Sequence, residues 1–170
     1  MKNIVLIGMP GCGKSTCGVL AAKALCMDFW DTDLLLQKNE KMPLQKIINT
    51  KGNAYFADAE ERAVCAFSFS NAVVATGGSV VYSKKAMAHL KENATVVYLK
   101  ISPETMEKRI SNMASRGILL RDGETLGEMF CEREPLYETY ADLTIDCDGA
   151  EIEQTVSKIV GVVRKTEGEK

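Results

Sequence analysis

Residues Gly8-Met9-Pro10-Gly11-Cys12-Gly13-Lys14-Ser15-Thr16 have the spacing G-x-x-x-x-G-K-[ST] of a phosphate-binding loop. The segment follows the apolar run Ile4–Ile7 and opens a helical stretch, which is the context such a loop requires. Glycines let successive backbone N–H groups turn inward around phosphates, and the N-terminus of the following helix adds its positive dipole. Gly11, Cys12, Gly13 and Thr16 would form the cradle, Lys14 would reach the β- and γ-phosphates, and the Ser15 hydroxyl would ligate Mg²⁺. The expected ligand is a nucleoside triphosphate with its metal.

Transfer of a γ-phosphoryl group also needs a residue that orients or deprotonates the attacking hydroxyl, and a cation over the developing charge. Asp31-Thr32-Asp33 puts two carboxylates at a strand end. In extended geometry they would face opposite sides, but a turn there would aim both into one cleft. One would serve the metal and the other the hydroxyl. Asp33 could instead only cap a helix starting at Leu34. Arg109, Arg116, Arg121 and Arg133 gather late in the chain, where a mobile guanidinium could close onto phosphates. Gly77-Gly78, directly after a strand, permits a close backbone approach to a ligand or is a plain tight turn. His89, the only histidine, lies in a helical stretch and receives no catalytic role. Trp30 reads as a core residue.

The elements that must position these residues follow from hydrophobic patterning. Ile4–Ile7, Phe29–Asp31, Ala72–Ala75, Thr95–Leu99 and Leu143–Asp146 are short, mostly apolar runs suited to strands buried on both faces. Helical patterns lie between and after them, at Lys14–Cys26, Leu34–Lys41, Leu44–Thr50, Asp58–Ser68, Lys84–Lys91, Pro103–Met113, Glu124–Tyr140 and Glu151–Arg164. Alternating strand and helix predicts an α/β fold with a parallel sheet, helices on both faces and a ligand site at the carboxyl ends of the strands. Two connections are longer than a crossover requires, from Asp33 to about Asn71 and from Asn112 to about Tyr140. Such excursions above the active edge read as a substrate-binding flap and a lid.

The chain has 170 residues, enough for one domain with insertions and short for two. A net charge of −2, without a basic block, argues against nucleic acid as a partner. The apolar runs are strand-sized, so no membrane span or signal peptide is expected, and the protein is placed in the cytoplasm. Six cysteines contain no C-x-x-C pair, so free thiols rather than a zinc site are expected. Cys12, in a loop that attracts anions, is the thiol most open to ionisation.

Taken together, Gly8–Thr16, Asp31-Thr32-Asp33, Gly52 followed by Phe56 and Glu60, Gly77-Gly78, Arg116 with Leu119-Leu120, and Glu132-Arg133-x-Pro135-Leu136-Tyr137 resemble the shikimate kinases. The resemblance spans nearly the whole chain. It implies a P-loop fold like that of the nucleoside monophosphate kinases, in three α/β/α layers with a five-stranded parallel sheet of order 2-3-1-4-5. The flap would run over about 33–71 and the lid over about 112–124. It further implies a monomer that uses ATP and Mg²⁺ to phosphorylate a small-molecule hydroxyl, shikimate first, with gluconate or a catalytically reduced nucleotide-binding regulator as alternatives. By the same resemblance Lys14, Asp33 and Arg116 act in catalysis and Ser15 and Asp31 serve the metal. Arg109 and Arg116 meet the nucleotide, and Asp33, Gly77, Gly78, Ser79 and Arg133 line the acceptor site. The chain departs from the family pattern where Ala57 stands for an arginine after Phe56 and Asn53 for a glutamate. Ser79 stands for a third glycine, and Gly117-Ile118 interrupts the lid's Arg-Pro-Leu-Leu.

Overall fold

Strand β1 (Asn3–Ile7) is buried along its entire length, because it has a hydrogen-bonded neighbour on each edge and helices on both faces. The structure, a computed structural model, describes residues 2–111 and 117–168. Around β1 lie β2 (Asp28–Asp31), β3 (Ala72–Ala75), β4 (Ala94–Lys100) and β5 (Leu143–Asp146), all parallel, in the order β2-β3-β1-β4-β5. β3 is also fully buried, whereas edge strands β2 and β5 alternate exposed positions with buried or partly buried ones. The expectation of burial on both faces thus fails at the edges. Trp30, expected in the core, lies on β2 with 40% of its surface exposed and one edge of its ring against Phe67.

The helices are α1 (Lys14–Leu25), α2 (Thr32–Glu40), α3 (Leu44–Cys65), α4 (Lys84–Lys91), α5 (Pro103–Ser111), α6 (Leu126–Tyr140) and α7 (Ile152–Gly168). The two helical patterns expected over 44–68 are one element broken at Gly52, whose φ of 82° and ψ of 168° no helix contains. A 3-10 turn, Val80–Tyr82, follows the Gly-Gly segment. α6 opens on a capping box: the Thr125 hydroxyl accepts from the Glu128 amide, and the Glu128 carboxylate accepts from the Thr125 amide.

Two hydrophobic clusters divide the work. The larger holds β1, β3 and β4 with α1, α4 and α6 beneath the phosphate loop. The smaller, Leu36, Leu44, Ile47, Phe56, Ala59 and Ala63, belongs to the flap made by α2 and α3, and Leu119 from the second excursion packs against it. Ile47 is wholly buried there. Ile47→Ala is expected to lower the unfolding free energy by about 3 kcal/mol with an unchanged denaturant slope, measured by urea unfolding.

Candidate active site

The phosphate loop leaves β1 through Gly8 and ends at Gly13, the residue before α1, whose φ of 99° is left-handed. No side chain caps α1, so the amides of its first turn are kept for an anion. The Lys14 ammonium folds back over the loop and donates to the carbonyls of Gly8 at 2.7 Å and Met9 at 2.9 Å, with the Cys12 sulfur 3.6 Å away. Cys12 itself is buried in the main cluster, and its sulfur crowds Gly8 on the core side. Arg109, from α5, donates to the Gly11 carbonyl at 3.2 Å and so braces the outside of the loop.

Asp31, Thr32 and Asp33 have three separate tasks. Asp31 caps α2, its Oδ1 accepting from the Asp33 amide at 2.9 Å, while its Oδ2 accepts from the Ser15 hydroxyl at 2.6 Å. The cap is therefore Asp31 rather than Asp33, and α2 begins at Thr32. The buried Thr32 hydroxyl accepts from the Gly77 amide at 3.1 Å, which ties the end of β2 to the end of β3. Asp33, released from capping, has its Oδ1 over Gly77, 2.8 Å from where a Cβ would stand. Glu60 Oε1 lies 2.2 Å from the same point, so only glycine fits. The Tyr137 hydroxyl donates to the Gly78 carbonyl at 2.6 Å and fixes the far side of the turn.

These residues open on one cavity of about 370 Å³, lined by Lys14, Ser15, Asp31, Asp33 and Gly78 on the polar side and by Leu34, Pro43, Leu44 and Ile118 on the apolar side. Gly117 presses on the flap at Leu44 and Gln45. Asn53 donates to the Leu120 carbonyl at 2.6 Å, so lid and flap are joined by polar as well as apolar contacts. Arg133 is 1% exposed; its guanidinium donates to the Tyr82 hydroxyl and the Leu119 carbonyl, lies over the Tyr82 ring and abuts Gly78. The exposed residue Ala57 is not among the residues lining this cavity.

Lys14, Ser15, Asp31, Asp33, Gly11, Gly13 and Gly78, singled out from sequence, come together around this cavity. Gly77 lies directly beneath Asp33, Thr16 faces solvent, and Ser79 is turned inward, its hydroxyl donating to Glu60 Oε2 at 2.7 Å. Arg116 lies outside the described residues. The family resemblance included Glu60 but gave it no role. It is in fact buried, and burial raises its carboxyl to about 7. The Ser79 hydrogen bond and the charges of Arg133 and Lys14 oppose that rise, and the charge of Asp33 adds to it. Gln37, which lines the cavity one helical turn after Asp33, also went unnoticed; its spacing from Asp33 was the available signal.

A phosphate loop at the reversal point of a parallel sheet, facing a carboxylate across one cavity, defines a kinase of the nucleoside-monophosphate-kinase architecture. The family described as shikimate kinase matches residues 10–164. A shikimate kinase of Caldanaerobacter subterraneus subsp. tengcongensis is 37% identical over 99% of this chain and 99% of its own length. One of Persephonella marina is 36% identical over 96% of this chain and 100% of its own. The structure of a shikimate kinase from Acinetobacter baumannii in complex with shikimate superposes with a TM-score of 0.90, at 26% identity, covering 98% of this chain and 94% of that one. The chain belongs to the shikimate kinase family.

A Cβ on Gly117 would stand 2.5 Å from Leu44 Cβ and 2.8 Å from the Gln45 nitrogen, too close for residue 117 to keep its place against α3. Gly117→Ala is expected to lower turnover roughly tenfold while the nucleotide dissociation constant stays within about twofold. Steady-state kinetics and calorimetric titration with nucleotide check this.

Proposed function

We propose that this chain transfers the γ-phosphoryl group of ATP to a hydroxyl of shikimate, forming shikimate 3-phosphate and ADP in aromatic amino acid biosynthesis. The observation that carries this reading is the opening of the phosphate loop and Asp33 onto one cavity, in a chain of this family. Asp33 holds the acceptor hydroxyl and takes its proton as the oxygen bonds to the γ-phosphorus and the bond to the β-phosphate oxygen breaks. Lys14 exchanges the Gly8 and Met9 carbonyls for phosphate oxygens. Arg116 covers the transferring group on lid closure, Arg109 lies along the nucleotide, and Gly77, Gly78, Ser79 and Arg133 shape the acceptor end. Relatives named as shikimate kinases disfavour both another hydroxylated metabolite such as gluconate and a non-catalytic regulator.

Ser15 Oγ and Asp31 Oδ2, 2.6 Å apart on the cavity wall, are hard oxygen donors that fit Mg²⁺. Among the described residues no cluster of His, Cys, Asp or Glu could hold a metal alone, which suits an ion shared with nucleotide phosphates and water. Bound there, it would neutralise charge on the β- and γ-phosphates. All six cysteines are free thiols, as suits a cytoplasmic enzyme, and we read it as a monomer acting on a small molecule. No described helix is long and apolar enough to cross a membrane.

Lys14→Ala and Asp33→Asn are each expected to leave a folded protein with phosphoryl transfer reduced at least ~100-fold, since both act where charge is redistributed. Coupled ADP release with shikimate, read beside circular dichroism, tests this, and near-parental turnover by Asp33→Asn would remove the proton-accepting role. Ala57 lies off the cavity wall, and an arginine there, long enough to reach in from outside it, would add a charge-assisted pair to the acceptor carboxylate worth about 3 kcal/mol. Ala57→Arg is therefore expected to lower the KM for shikimate at least ~10-fold, and an unchanged KM would mean that residue 57 does not face the acceptor.

A further inference from the structure

Glu60 is a buried carboxyl to which phosphoryl transfer, as described above, gives no task. It stands on α3, 6% exposed. Its Oε2 accepts from the Ser79 hydroxyl at 2.7 Å, while its buried Oε1 meets no hydrogen-bond donor among the described residues. Oε1 and Asp33 Oδ1 crowd the same point above Gly77, at 2.2 Å and 2.8 Å, so the two carboxyl groups converge where glycine leaves room. A bare carboxylate oxygen in that setting is costly, and two facing carboxylates cost more. A proton on Oε1 removes both penalties: Oε2 stays the carbonyl oxygen that Ser79 needs, and Oε1–H becomes a donor facing Asp33.

We propose that Glu60 is a positioning residue for Asp33, working as a neutral acid whose Oε2 is held by Ser79 and whose Oε1–H donates toward the Asp33 carboxylate. The inference rests on the reading of Asp33 as the group that takes the acceptor proton. Its consequence is an alkaline limit on turnover that belongs to Glu60. Once Glu60 ionises, it repels Asp33 instead of holding it, so activity is present below about pH 7 and falls as pH rises through that value. Among the described residues, the charged groups that act on Glu60 are Asp33 of α2, Arg133 of α6 and Lys14 of the phosphate loop. On α3 itself, Glu61 is engaged by Ser83 and Lys85, and Arg62 lies over the Tyr55 ring.

Glu60→Gln keeps an acceptor for Ser79 and a donor for Asp33 at every pH. At saturating ATP and acceptor its kcat is expected within about threefold of the parent at pH ~6, with the fall near pH ~7 abolished. Ser79→Ala removes a bond that favours the ionised form and is expected to move the fall to higher pH. Glu60→Ala is expected to lower kcat about tenfold at every pH. Carbon NMR of the Glu60 carboxyl, followed in the protein without substrates, is expected to titrate near 7. A midpoint near the ordinary ~4.3 would overturn the proposal, as would a Glu60→Gln profile that keeps the parental alkaline fall. If Asp33→Asn is inactive while Glu60→Gln retains that fall, the positioning role alone fails. If Asp33→Asn turns over normally, the reading beneath it fails too.

Discussion

One carboxylate joins the two halves of the site. Asp31 accepts the Ser15 hydroxyl with one oxygen and the Asp33 amide with the other, so the first turn of α1 and the first turn of α2 are held by the same side chain. The phosphate loop sits on one of these turns and the flap begins on the other. The arrangement depends on register: Asp31 pairs with Ala75 across β2 and β3, which puts Thr32 within reach of the Gly77 amide and Asp33 above Gly77 itself. The precision of the site therefore comes from the ladder of a rigid sheet.

Above that edge the packing is divided. The main cluster runs under the phosphate loop, whereas α2 and α3 keep a cluster of their own, to which the lid contributes Leu119. The two clusters share no residue, so most of the packing of α2 and α3 is separate from that of the sheet. Arg133 couples the parts: buried and always charged, it needs acceptors, and it takes them from the Tyr82 hydroxyl and from the lid at the Leu119 carbonyl. The contact with Leu119 thus satisfies a guanidinium that would otherwise be short of partners.

The parts of the fold legible from sequence were those governed by local chemistry. Short apolar runs rich in β-branched residues marked β1, β3 and β4, and the glycine spacing marked the phosphate loop before any coordinate. Trp30 was misjudged because an apolar strand residue says nothing about whether its strand lies at the centre or the edge of a sheet, and β2 is an edge. The two helical patterns on either side of Gly52 were recognised, and Gly52, at φ 82° and ψ 168°, breaks the helix between them. Asp33 was open to two readings until Asp31 proved to be the cap.

The sequence by itself determined the chemistry on offer: a phosphate cradle, a lysine, a hydroxyl for a metal, an Asp-x-Asp pair and a strand-helix alternation that brings them to one sheet edge. Only the tertiary structure decided which carboxylate caps, which one faces the acceptor and which acid has lost its water. Glu60, Ser79 and Asp33 are distant in sequence and meet around Gly77. Such a meeting depends on long-range packing and on the desolvation it causes, and neither is encoded in local spacing.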